Sequence, residues 1–146
     1  MEHWEITPLY AAVRYSNLEI FKLLIEDDRI DFNKENYWCQ HIYDKFDECF
    51  TPFIIATIRK YDEYIKYFLV CEKNNVNQIF RKDSVCFLYE SHYQKSALHI
   101  AIEKNCSAIV KLLLIDDDVD VNFKRKMEIK RYHRNEVQEY TPLSLS

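Results

Sequence analysis

Cysteine, histidine and aspartate are the residues of this chain best suited to hold a metal, and their spacing is where such chemistry would show. Cys39, His41 and Cys49 share one stretch, and Cys86 and His92 share another. A structural zinc site presents its ligands as close pairs of the Cys-x-x-Cys kind, and neither stretch has one. Asp116, Asp117, Asp118 and Asp120 suggest calcium, but the run lacks the spaced ligands, turn glycine and closing Glu of a calcium loop. Catalytic frameworks fit no better. The 146-residue sequence contains no glycine, whereas a phosphate-cradling loop or a nucleophile elbow needs glycine where the backbone meets a ligand or turns sharply. The helix motif His-Glu-x-x-His is missing too. The expectation is a protein without catalysis, cofactor or metal, in which Cys and His mostly serve packing.

The elements that position every side chain follow from an internal repeat. "TPLYAAVRYSNLEIFKLLIEDDRIDFN" (7–33), "TPFIIATIRKYDEYIKYFLVCEKNNVN" (51–77) and "SALHIAIEKNCSAIVKLLLIDDDVDVN" (96–122) align without a gap, and "TPLSLS" (141–146) opens a fourth block. Successive starts lie 44, 45 and 45 residues apart. Thr7, Thr51, Ser96 and Thr141 suit the N-cap, and Pro8, Pro52 and Pro142 suit the first helical position, where a missing N–H is harmless. Each block therefore predicts a helix A from the Thr or Ser. A turn follows at Ser16, Lys60 and Asn105, and then a helix B over 18–25, 62–69 and 107–114, apolar at helical spacing. Two such helices cannot bury a wide apolar face alone, so neighbouring copies must stack.

Composition limits what such a stack can do. Its length can bury about 70% of the unfolded surface. A net charge of −4 and a pI near 5.7 argue against a nucleic-acid binder held mainly by phosphate contacts. No apolar run reaches the roughly 20 residues of a membrane span, and the first residues do not read as a signal peptide. A cytoplasmic or nuclear address and reduced cysteines are expected, because the five Cys cannot all pair and lack the spacing of a secreted scaffold.

The order Thr-Pro-Leu, a small Ala in helix A (Ala12, Ala56, Ala101), the run "EIFKLL" or "AIVKLLL", and the endings "IDFN" and "VDVN" resemble the ankyrin repeat. The departures are the replaced turn glycines, one added residue before the closing Asp-x-Asn, and a period longer than the usual ~33 residues. The resemblance implies a mainly α fold, an α-solenoid of stacked helix pairs with long β-hairpin or loop fingers. A single repeat domain over 1–146 is expected, as part of a longer array. The added length falls in the fingers at 34–50, 78–95 and 123–140. In the second, Ile79 to Arg81 and Val85 to Tyr89 would pair across a turn at Lys82, Asp83 and Ser84. "KMEIKRY" alternates like a strand in the third, and the first reads as a hairpin or an ordered loop.

By resemblance, the work is protein–protein interaction along the concave side. Matching positions at the end of helix A are Arg14 with Tyr15, Ile58 with Arg59, and Glu103 with Lys104. The fingers add Tyr37, Trp38, Phe80, Phe87, Tyr89 and Tyr132, aromatic rings that either anchor a partner or pair across strands. Residues 123–140 carry six Lys or Arg against three Glu, while 34–50 is net −2. That basic finger suits an acidic protein patch, a nucleic acid or an import receptor, or simply a charged, solvated hairpin edge. His99, four residues into its repeat, is expected to hydrogen-bond the Ser96 side chain. An alternative function is a targeting or spacer module of a larger enzyme or effector whose active part lies outside this segment.

Overall fold

The computed structural model describes residues 2–41, 45–85, 89–131 and 134–140. Among these residues, six helices run in pairs: α1 (Pro8–Arg14) with α2 (Leu18–Ile25), α3 (Pro52–Ile58) with α4 (Asp62–Val70), and α5 (Ala97–Glu103) with α6 (Ser107–Ile115). The first helix of each pair starts as its sequence requires. Thr7 Oγ1 accepts the Tyr10 N–H at 3.3 Å, Thr51 Oγ1 the Ile54 N–H at 3.3 Å, and Ser96 Oγ the His99 N–H at 3.4 Å. His99 is fully buried, and its Nε2 accepts the Arg125 N–H at 3.2 Å. Its Nδ1 faces Ser96, 2.9 Å from Oγ and 3.4 Å from the backbone N, so the ring ties the helix start to the next finger.

The first helix of each pair ends in the same way. Asn17, Tyr61 and Cys106 donate their N–H to the carbonyls of Ala12, Ala56 and Ala101, each at 2.9 Å. Ser16, Lys60 and Asn105 donate to Val13, Thr57 and Ile102 at 3.0 to 3.1 Å. This double closure needs a left-handed residue, normally Gly. Here Ser16, Lys60 and Asn105 take φ of 56°, 60° and 53°. Of the three, Asn tolerates that region best and Lys has no local polar group to help it. Lys60→Gly is thus expected to stabilise the protein by about 0.5–1 kcal/mol, raising the melting temperature by about 2–4 °C, with Lys60→Ala giving no gain. Thermal denaturation followed by circular dichroism checks both.

The closing Asp-x-Asn segments bolt one repeat to the next. Asp31, Asn75 and Asp120 accept the N–H of Asn33, Asn77 and Asn122, two residues on, at 2.9 to 3.0 Å. Held there, Asn33 donates to the Lys73 carbonyl at 2.9 Å and accepts the Asn75 N–H at 2.8 Å. Asn77 repeats the pair one copy later, donating to the Asp118 carbonyl and accepting the Asp120 N–H, both at 2.8 Å. Within the acidic run, the Asp116 and Asp120 carboxylates thereby shape turns, Asp116 accepting the Asp118 N–H at 2.9 Å. Between the bolts, Phe21, Phe53, Ile65, Phe68, Leu98, Ile109 and Leu113 are fully buried in one core that runs across all three pairs.

The expectation of a mainly α solenoid is corrected by the fingers. β1 (Glu2–Glu5), β2 (Asn36–His41), β3 (Lys45–Phe50), β4 (Ile79–Val85), β5 (Tyr89–Ser96), β6 (Arg125–Arg131) and β7 (Arg134–Tyr140) form one seven-stranded antiparallel sheet in chain order. The longer period has a physical outcome. Strands of six to eight residues in each finger reach far enough to pair with the next finger as well as within their own. β3 thus pairs with β4, Glu48 opposite Lys82, and β5 with β6, Tyr93 opposite Met127. The fold is mixed, with a helical stack and a continuous sheet.

The hairpin in the second finger also differs from expectation. Lys82, Asp83 and Ser84 lie inside β4, opposite Tyr93, His92 and Ser91, so the chain reverses further on. Turn-like residues pair as strand here because each meets a polar or aromatic partner, as in the 2.7 Å contact of His92 Nδ1 with Asp83.

Candidate interaction groove

The sheet and the inner helices α3 and α5 enclose an open groove of about 690 Å³. Its apolar floor is made by Ile55 and Ile58 of α3, Ile100 of α5, and the rings of Phe50, Phe80 and Tyr93. These residues arrive together for two reasons. Inner helices pack side by side at a fixed spacing, and alternation along each strand turns every second side chain toward the helices. Ser84 and Ser91, paired across β4 and β5, form a polar stretch of wall.

Cations dominate the lining. Arg59 and Lys104 are the C-cap residues of α3 and α5, in matching places on successive repeats, and both are exposed. Lys82 and Lys95 stand on the strands. Lys82 Nζ lies 3.1 Å from Glu48, and Lys95 Nζ lies 2.5 Å from Glu103. Arg125 also reaches Glu103 at 3.0 Å and donates to the Tyr93 hydroxyl at 3.1 Å. Burial raises the pKa of that Tyr93 hydroxyl above its ordinary value, so it stays protonated.

The residues expected at the concave side divide clearly. Ile58, Arg59 and Lys104 line the groove. Tyr15 occupies the corresponding C-cap of α1 and is 73% exposed. Arg14 instead lies over the Trp4 ring, 4.6 Å from its centroid, and reaches the Tyr10 hydroxyl at 3.5 Å. Glu103 is engaged by Lys95 and Arg125.

Among the finger aromatics, Phe80 is only 6% exposed, packed on Phe50 at 5.3 Å with the Lys95 ammonium 5.5 Å above it. Trp38 stacks on Trp4 at 5.5 Å. Tyr37, whose hydroxyl donates to Glu35 at 2.9 Å, and Tyr89 keep exposed rings. Phe87 and Tyr132 fall outside the described residues. Lys82 and Lys95 were not among the expected contacts. Their signal was strand parity, which only the observed register makes readable.

Among the described residues, no group of three or more Cys, His, Asp or Glu side chains is placed to hold a metal ion. Cys86 lies outside them. Cys49 is buried in β3, and that burial pushes its thiol up to about 11, so the free thiol stays protonated at neutral pH.

A family model described as "Ankyrin repeats (3 copies)" matches residues 36–125, and one described as "Ankyrin repeat" matches residues 4–37. The chain belongs to the ankyrin-repeat family. No curated protein and no solved structure matches it significantly. Ankyrin repeats generally mediate protein–protein interaction, and proteins built from them are typically non-catalytic binding modules. Among the described residues, no helix of this ankyrin-repeat protein is long and apolar enough to cross a membrane.

Proposed function

We propose that the protein is a non-catalytic scaffold that holds a partner protein in the groove between its inner helices and its finger sheet. The observation that carries this reading is the groove itself. It combines an apolar floor, a cationic rim and a volume of about 690 Å³, walled by two layers that the repeat fixes relative to each other. Concave sites with a mostly apolar lining and a few oriented polar groups are where proteins usually take ligands. Rigid walls favour this use, since a partner then need not order the scaffold as it binds.

The test is cross-linking in the source cell. A photoreactive amino acid at Ile58, inside the groove, is expected to give discrete protein adducts. The same group at Val70, 80% exposed at the end of α4 on the other helix of the pair, is expected to give none of them.

A further inference from the structure

Resting on the groove reading above, we propose that the occupant is an extended acidic peptide segment, with two carboxylates about three residues apart flanking an apolar side chain. The sign of the charge carries the first part. The chain as a whole is net −4, yet the groove is lined by Arg59, Lys82, Lys95 and Lys104 against Glu48 alone. Glu48 and Glu103 neutralise the two strand lysines. Among the described residues, Arg59 and Lys104 have no acidic partner, and a cationic pair kept unneutralised beside an apolar floor complements an anion with an apolar neighbour.

The spacing carries the second part. Arg59 and Lys104 cap adjacent packed helices, whose axes in such packing lie about 8–10 Å apart. A polyproline-like extended segment brings side chains i and i+3 to one side about 9 Å apart. Two carboxylates at that interval meet Arg59 and Lys104 together, and an apolar side chain between them rests on the half-buried Ile58 and Tyr93. The cationic rim attracts such a segment to the groove. A nucleic acid fits less well, because its closely spaced phosphates call for a row of free cations where the groove offers two.

The experiment is selection of a random twelve-residue peptide library on the whole protein, followed by affinity measurement on three forms: the parent, the double variant Arg59→Glu/Lys104→Glu, and Ser91→Trp, which fills the groove from its wall. Melting curves confirm that each variant is folded. Selected peptides are expected to be enriched in Asp and Glu at an i, i+3 interval, to lose about tenfold in affinity on the double variant, as two exposed ion pairs warrant, and to lose binding on Ser91→Trp. Peptides that Ser91→Trp abolishes but charge reversal leaves unchanged overturn the acidic assignment while sparing the groove. Acidic peptides that bind Ser91→Trp as well as the parent overturn the groove itself. A selection with no enriched sequence, or a twelve-nucleotide oligo-dT that binds as tightly as the best peptide, overturns the proposal.

Discussion

Ala56→Asp is expected to remove cooperative folding of the repeat array or to lower its melting temperature by about 10–20 °C. Ala56 is fully buried where α3 meets α4, and its carbonyl closes the helix end by accepting the Tyr61 N–H at 2.9 Å. Ala12 and Ala101 do the same in the flanking repeats. A carboxylate at this place loses its hydration within an apolar core that also holds the fully buried Phe53, Ile65 and Phe68. An uncompensated buried charge costs roughly 3–5 kcal/mol, a large share of the roughly 5–15 kcal/mol that holds a domain together. A variant melting within a degree or two of the parent contradicts this placement of the inner helices.

Phe68→Ala is expected to destabilise by about 3–5 kcal/mol, as truncation of a fully buried aromatic ring does. The size of the effect reflects where the ring stands. Phe68 meets Phe21 at 5.2 Å, Phe32 at 6.3 Å and Phe53 at 5.7 Å, all edge-on, so it joins the first repeat to the second as well as α3 to α4. Removing it weakens a boundary between copies. In a stacked array such a loss uncouples neighbours, and the denaturant transition broadens as its midpoint falls. Urea titration followed by tyrosine fluorescence and by circular dichroism checks this. Coincident, steep transitions with an unchanged midpoint contradict a core continuous between repeats.

The helical half of the structure was legible because its signals are local. Thr-Pro at a cap, apolar residues at three- and four-residue spacing, and a turn that any reader of the repeat would assign to a glycine each act within a few residues. Helix B of the first repeat falls at Leu18–Ile25 as its apolar spacing predicts, and the other two differ by one residue at the C-terminal end.

The sheet was not legible in the same way. Its strands are rich in charged and polar residues, so they carry little hydrophobic alternation, and their pairing partners lie in the next copy of the repeat. Lys82, Asp83 and Ser84 look like a turn by residue type, and only the opposing Tyr93, His92 and Ser91 make them strand. The groove inherits this asymmetry. Arg59 and Lys104 followed from repeat alignment, whereas Lys82 and Lys95 required the register. For Phe80 the choice between packing and partner contact could not be read from residue type, and in the structure Phe50 and Lys95 pack on the ring.

The account depends most on the groove being the face that meets a partner, and the paired cross-linking positions test that directly. Ile58 and Val70 belong to the two helices of one repeat, so differences in expression or stability affect both alike. Adducts of defined mass from the Ile58 position, with none from Val70, are the predicted result. The same adducts from Val70, with Ile58 silent, would place the partner on the opposite face and contradict it.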